Sequence, residues 1–313
     1  MTTLVSTGIL YSDGFVETSL YASTQKAIFG YGYNSSYIGI SLTNLVSNAG
    51  VVSIDVTGVG TARASLAAAG YGGDRAIFGY GVGNAGMLSI VSLVSNTGIV
   101  STDVTGVGTA RVGLAAAGYG GDKAIFGYGY TSTGLSMTNL VSNMGVVSTD
   151  VTGVGTSRSQ LAAAGYGSDK AIFGLGQLTD LSQVSTTNLV SNTGVVSNDV
   201  TSIAHSRINS AAAGYGGDKA IFGYGFYGNY TTVTNLVSNT GVVANDVAAI
   251  GQQRYRLAAA SYGGDKAIFG YGVSFDNIMT NTFNLVSNTG VVSSDVTGVG
   301  TARSDLAAAT FSA

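Results

Sequence analysis

The chain offers few residues for chemistry. His205 is its only histidine, Glu17 its only glutamate, and its 313 residues include no cysteine. A thiol nucleophile and a cysteine zinc site are therefore excluded. One imidazole cannot build a multi-histidine metal centre. A Ser-His-Asp hydrolase would have His205 as its one candidate base, and His205 reads as a tolerated loop residue instead. Asp180 and Asp276-Asn277 could touch a cation, but no Asp-x-Asp-x-Asp spacing supports calcium. The Gly-x-Gly phrases open no helix and none is followed by Gly-Lys-Ser/Thr, so they do not read as phosphate loops. Glycosidase chemistry needs a pair of carboxylates, and no such pair stands out. The expectation is a protein that is not an enzyme, with no catalytic residue, metal or cofactor.

Composition narrows the partners. A net charge of −3 with only 13 Lys and Arg argues against a nucleic-acid footprint, which needs a clustered basic face. With 45% hydrophobic and 9% charged residues, disorder is not expected. The start, MTTLVSTGIL, has no Lys or Arg ahead of its apolar stretch and makes a poor secretory signal. No uninterrupted apolar run is long enough to span a membrane as a helix. Synthesis in a host cytoplasm without membrane insertion is the expectation.

The elements that must position any site come from a repeat. The phrase KAIFGYG begins at Lys26 and recurs from Arg75, Lys123, Lys170, Lys219 and Lys266. LVSNTGVVS begins at Leu45 and recurs from Leu93, Leu140, Leu189, Leu236 and Leu285. From each Leu to the next Lys or Arg is always 30 residues, so all length variation lies between KAIFGYG and LVSN. Repeat positions hold 12 of the 13 cations and 11 of the 16 acids. Charges that recur in every repeat read as structural, paired across the fold. The expected network joins Asp55, Asp103, Asp150, Asp199, Asp246 and Asp295 with Arg63, Arg111, Arg158, Arg207, Arg254 and Arg303.

Each repeat reads as four short strands. Strand A is LAAAGYG, strand B is KAIFGYG, strand C is TNLVS and strand D is GVVSTDVT. Gly-Gly-Asp between A and B, and Asn-Thr-Gly between C and D, are hairpin signals. Four strands in about 48 residues, repeated six times, fit the blades of an all-β propeller. Ala-Ala-Ala-Gly in strand A suits the crowded axis. The mid-strand phenylalanines, Phe29 through Phe269, would pack between blades. The order of Arg, small apolar strand, turn, glycine-ended strand, variable loop and hairpin resembles a kelch-type β-propeller over residues 26–313. The phrase GYGGDKAIFGYG is also similar to repetitive virion-associated proteins of marine bacteriophages. That second resemblance implies a viral structural protein.

Ring closure is expected from the C-terminal strand Leu306–Phe311 beside strand B at Lys26. This gives six blades over 26–313 and an N-terminal hairpin or arm over 1–25. A seventh, split blade using those first residues is the rival. Segments joining B to C and D to A vary and should emerge on one face. Their candidate binding residues are Tyr33, Tyr37, Tyr130, Asp180, Phe226, Tyr227, Tyr230, Tyr255, Phe275 and Asp276, with Phe283 alongside. Tyr with Ser, Asn and Gly suits adaptable recognition loops. The functional expectation is a structural or interaction propeller of a virion, in a phage tail or decorating a capsid. Its variable face would serve attachment or protein docking within an oligomeric assembly. The alternative is a lectin-like propeller binding a host surface glycan.

Overall fold

The computed structural model describes residues 9–10, 16–17, 24–248 and 250–312. It is all-β, with no helix among the described residues and with every strand pair antiparallel. The sheets are small, and the main ones are built one per repeat. Strand A (for example Ala115–Tyr119) pairs with strand B (Lys123–Tyr130), which pairs with strand C (Gly134–Val141). The A–B turn uses Gly120 and Gly121 at φ of 62° and 81°. Only glycine adopts that pair of left-handed angles without cost.

Strand D departs from expectation. Only Val200–Thr201 and Val247–Ala248 form strands there. Elsewhere D touches C through isolated bridges such as Val46↔Val52 and Thr43↔Val56. The reason is a side-chain substitution for the ladder. Ser53 Oγ accepts the Leu45 N–H at 2.9 Å, and Asn44 Nδ2 donates to Ser53 O at 3.0 Å. These bonds occupy the groups that a regular fourth strand would pair.

Neighbouring repeats interlock through aromatic rings. Tyr80 meets Phe126 edge-on at 5.2 Å, and Tyr128 meets Phe173 in the same way. The tip of each phenylalanine rests on the glycine that ends the preceding strand B. A Cβ on Gly127 would lie 2.7 Å from Phe173 Cζ. Inner strands also touch: a Cβ on Gly118 would stand 3.3 Å from Gly70 O, and one on Gly70 would stand 2.8 Å from Thr310 O. Three of the four side chains in Ala-Ala-Ala-Gly are methyls because the backbones leave no more room.

The chain ends meet. Ala307–Ser312 pairs along its length with Gln25–Gly30, from Gln25↔Ser312 to Gly30↔Ala307. Phe29 packs on Tyr271 of the last repeat at 5.3 Å. The A–B turns are linked as well: Gly72, Gly120, Gly167 and Gly216 donate to the carbonyls of Asp122, Asp169, Asp218 and Asp265 at 2.6–2.7 Å. The series continues from Gly263 to Gln25 O and from Ser312 to Asp74 O. Ahead of this, Ile9–Leu10 pairs with Val16–Glu17 as a short hairpin. The rest of the N-terminal segment, including the possible split-blade strands at 4–8 and 18–22, lies outside the described residues.

Candidate functional site

The recurring charges are absorbed by structure. All six repeat arginines, Arg63 to Arg303, are fully buried. Arg111 is the most fully satisfied of them, since Nε of the other five has no partner. Its Nε donates to Tyr128 O at 2.8 Å, one terminal nitrogen donates to Thr109 O at 3.1 Å, and the other donates to Asn139 Oδ1 at 2.7 Å. Its guanidinium lies 4.3 Å from the Tyr80 ring centre. Each arginine reaches toward an aspartate of the next repeat. Arg63–Asp103 is 3.3 Å, Arg111–Asp150 3.9 Å, Arg158–Asp199 3.6 Å and Arg207–Asp246 3.9 Å. Arg303–Asp55, at 3.6 Å, joins the two ends of the chain. Asp295, in the sixth such slot, accepts the Gln252 N–H at 2.9 Å. Burial pushes the carboxyls of Asp55, Asp103, Asp150 and Asp199 upward. Hydrogen bonds from threonine and from Asn or Ser outweigh it and hold them below the usual range.

One repeat differs. Leu175 stands where the others place tyrosine, so Arg207 has no ring beneath it. Burial alone pushes the Arg207 pKa down to about 10. His205 belongs to this network. It takes the slot of Thr61, Thr109, Thr156 and Thr301, and both its backbone N–H and ring Nδ1 meet the Asp246 carboxylate. A structural contact, not a free base, accounts for the only histidine.

The variable residues converge elsewhere. The pairs that follow each arginine are not free loops. Their first members form antiparallel bridges to the next strand B extension, as in Val112↔Tyr130 and Ile208↔Phe226. Their second members, Ser65, Gly113, Gln160, Asn209, Arg256 and Asp305, all have φ of 52–61°. They form a closed circle of backbone hydrogen bonds. Ser65 donates to Asp305, Asp305 to Arg256, Arg256 to Asn209, Asn209 to Gln160, Gln160 to Gly113, and Gly113 back to Ser65, at 2.7–3.1 Å. The circle sits in the wall of a cavity of about 400 Å³, together with the adjoining Leu-Ala steps of the A strands. Tyr130, Gln177 and Leu181 from the B–C segments line the same cavity. A second cavity of about 270 Å³ is lined by the A–B turns, with Arg75, Lys123, Lys170 and Lys219. The variable pairs and the B–C segments thus line the first cavity and not the second.

The side chains of the circle differ in chemistry. Asn209 Nδ2 donates to Gln160 Oε1 at 2.9 Å. Arg256 stands 3.7 Å from Asp305, whose side chain keeps 12% exposure. Burial raises the Asp305 carboxyl, while Arg256 and the hydroxyls of Ser304 and Ser65 oppose that rise. Beside Asn209, Ser210 occupies the position that is leucine at Leu66, Leu114, Leu161, Leu257 and Leu306. Its hydroxyl is buried with no hydrogen-bond partner.

Of the residues singled out from sequence, several meet here. Phe226, Tyr230 and Tyr255 form an aromatic cluster, with Tyr230–Tyr255 at 4.9 Å, and the Arg256 guanidinium lies 5.0 Å from the Tyr255 ring. Tyr33 is half-buried, and its hydroxyl is raised by burial and by the Asp305 charge against the pull of Arg256. Tyr37, Tyr130, Tyr227 and Phe275 are exposed. Tyr227 packs against His205 at 5.3 Å. Asp180 and Asp276 serve their own turns: Asp180 accepts Ser182 N–H at 3.0 Å, and Asp276 takes the Ser274 hydroxyl. Phe283 is a correction. It is buried against Phe29 and Tyr271 and belongs to the core, because it opens strand C in the slot held by the buried Thr43, Thr138, Thr187 and Thr234 of other repeats.

The circle itself was missed from sequence, although a signal existed. Arg256 is the one cation outside the repeat positions, and its Asp305 partner is one of the few such acids. Among the described residues no group of three or more His, Cys, Asp or Glu could hold a metal ion. The described helix-free fold contains no helix long and apolar enough to cross a membrane. In comparisons with known proteins, no family model and no curated protein matches the chain.

Proposed function

We propose that this chain is a non-enzymatic interaction protein built as a six-bladed, kelch-like β-propeller. It is carried in a virion or similar particle and presents its variable face for attachment. The observation that carries this reading is the division of labour between residues. The repeated Arg and Asp charges are consumed in inter-repeat pairs, while the non-repeated Arg256 and Asp305 line one cavity together with Tyr130. Pairing of Gln25–Gly30 with Ala307–Ser312, and the closed circle of six hydrogen bonds, support six blades. The cavity wall holds a single carboxylate, Asp305, so a glycosidase pair has no second member there.

Life in an assembly is supported by the rim. Val51, Ile99, Val146, Val195, Val242 and Val291 are each 65–69% exposed, one per repeat on the C–D turns. A repeated apolar girdle beside poorly paired D segments favours burial against neighbours. Mass spectrometry of purified particles released by cells that carry the gene tests this. Peptides from the chain are expected in the particles. Their absence, with the protein present in the cell lysate, overturns the reading. A glycan-binding role is favoured by one observation, the unpaired Ser210 hydroxyl beside the Gln160–Asn209 pair in the cavity wall.

A further inference from the structure

We propose that the axial cavity is a binding site for one neutral, polyhydroxylated ligand of saccharide size, seated among Gln160, Asn209, Ser210, Arg256, Asp305 and Ser65. This rests on reading the variable face as the presenting face. The volume, about 400 Å³, falls in the range of small-ligand pockets.

The site is built and rigid. Its six-residue circle is locked by backbone hydrogen bonds, so its side chains project from fixed positions. Pre-organisation of this kind lowers the ordering cost of binding. Hydrogen-bonding capacity is left over. Ser210 is only 7% exposed, yet its hydroxyl has no partner, and Arg256 Nε is also buried without one. An unpaired buried polar group is destabilising, and apolar leucine serves in the other five repeats at the Ser210 position. Replacing that leucine by serine opens one side of the wall and places a donor and acceptor there. Gln160 and Asn209 are bonded to each other through one atom each. Gln160 Nε2 and Asn209 Oδ1 therefore remain as a donor and an acceptor.

Charge selects the ligand class. Arg256 and Asp305 are close, but at 3.7 Å they lie beyond hydrogen-bond length and cancel in net charge. An anion would meet Asp305 and a cation would meet Arg256. A neutral ligand with several hydroxyls can donate to Asp305 and Asn209 Oδ1 and accept from Arg256, Gln160 Nε2 and Ser210. The Leu and Ala steps of the A strands, with Tyr130, supply apolar surface for the C–H face of such a ring.

Saturation-transfer NMR on the full chain tests this with D-glucose, D-galactose, D-mannose and N-acetyl-D-glucosamine at millimolar concentration. Glycine and acetate serve as zwitterionic and anionic comparisons. Saturation of at least one sugar is expected. Ser210→Leu, which restores the residue of the other repeats and should fold, and Asn209→Ala are each expected to weaken it about tenfold or more, the loss of one buried hydrogen bond. Thr149→Ala, far out on a D segment, should leave it unchanged. No saturation of any sugar overturns the proposal. So does saturation of glycine or acetate alone, or sugar saturation indifferent to both cavity variants. Particle incorporation is read separately: a chain found in particles that binds no sugar defeats this inference and leaves the assembly role standing.

Discussion

Raising the pH from 10 to 12 is expected to unfold this protein. Four tyrosines that end strand B, Tyr80, Tyr128, Tyr224 and Tyr271, have hydroxyls pushed up to about 12, chiefly by burial, with the facing arginines pulling partly the other way. In the unfolded chain a tyrosine ionises near 10. A group whose folded pKa is raised contributes stability that is complete below its unfolded pKa. That stability is lost as pH rises through the folded value. Each shift corresponds to about 2.7 kcal/mol. Four together are on the order of 10 kcal/mol, comparable with the whole stability of an ordinary domain. Arg207 acts in the opposite direction. Its pKa is pushed down to about 10, so its burial cost is relieved as pH rises. That offset is about 3 kcal/mol, and burial lowers Arg111, Arg158, Arg254 and Arg303 as well, so the net loss is smaller than the tyrosine sum. Circular dichroism and tyrosinate absorbance, followed together, check this. A single coincident transition above pH 10 is expected. Tyrosines that all ionise near pH 10 in an intact fold would contradict it.

The buried arginines should respond unequally to substitution. Arg111→Ala is expected to cost about 3–5 kcal/mol, because it strands Asn139 Oδ1 and Tyr128 O and empties the space over Tyr80. Arg207→Met should cost less, about 1–3 kcal/mol, the loss of its bond to Asn235 Oδ1. Leu175 replaces the ring that faces the other arginines, and Asp246 is also held by His205. Methionine can fill the same apolar space without the desolvation cost. Urea midpoints of the two variants decide. Equal losses at both positions would mean that the six arginines are interchangeable and that the missing tyrosine has no energetic consequence.

These unequal sites also show what sequence conveys. Strands A, B and C were legible because the glycine of KAIFG recurs in all six copies and that of AAAG in four, and these glycines are demanded by contacts. Gly127 makes room for the next phenylalanine, and Gly118 for the neighbouring carbonyl. The arginine–aspartate pairs were legible for the same reason, since copied charges in a low-charge chain must neutralise one another. Strand D was not. Its valines alternate as a strand's would, but Ser53 and Asn44 divert the pairing through their side chains. The axial circle was hidden for the opposite reason. Its residues share a backbone conformation and no side-chain type, so the position reads as drift in a loop. Left-handed φ at Ser65, Gln160, Asn209, Arg256 and Asp305 accompanies their mutual backbone hydrogen bonds, which sequence pattern does not carry.

Closure is the central claim, and a cysteine-free chain allows a direct test of it. The double variant Gln25→Cys/Ser312→Cys places two thiols on paired antiparallel residues, a separation within disulfide range. With no native cysteine, any intramolecular disulfide must join these two positions. Mild oxidation of the folded monomer is expected to form it nearly completely. The cross-link should make the denatured chain migrate faster on a non-reducing gel and add up to ~5 kcal/mol of stability from loop closure. Thiols that stay free in the folded monomer, or that link only between molecules, would contradict a ring closed by its last strand.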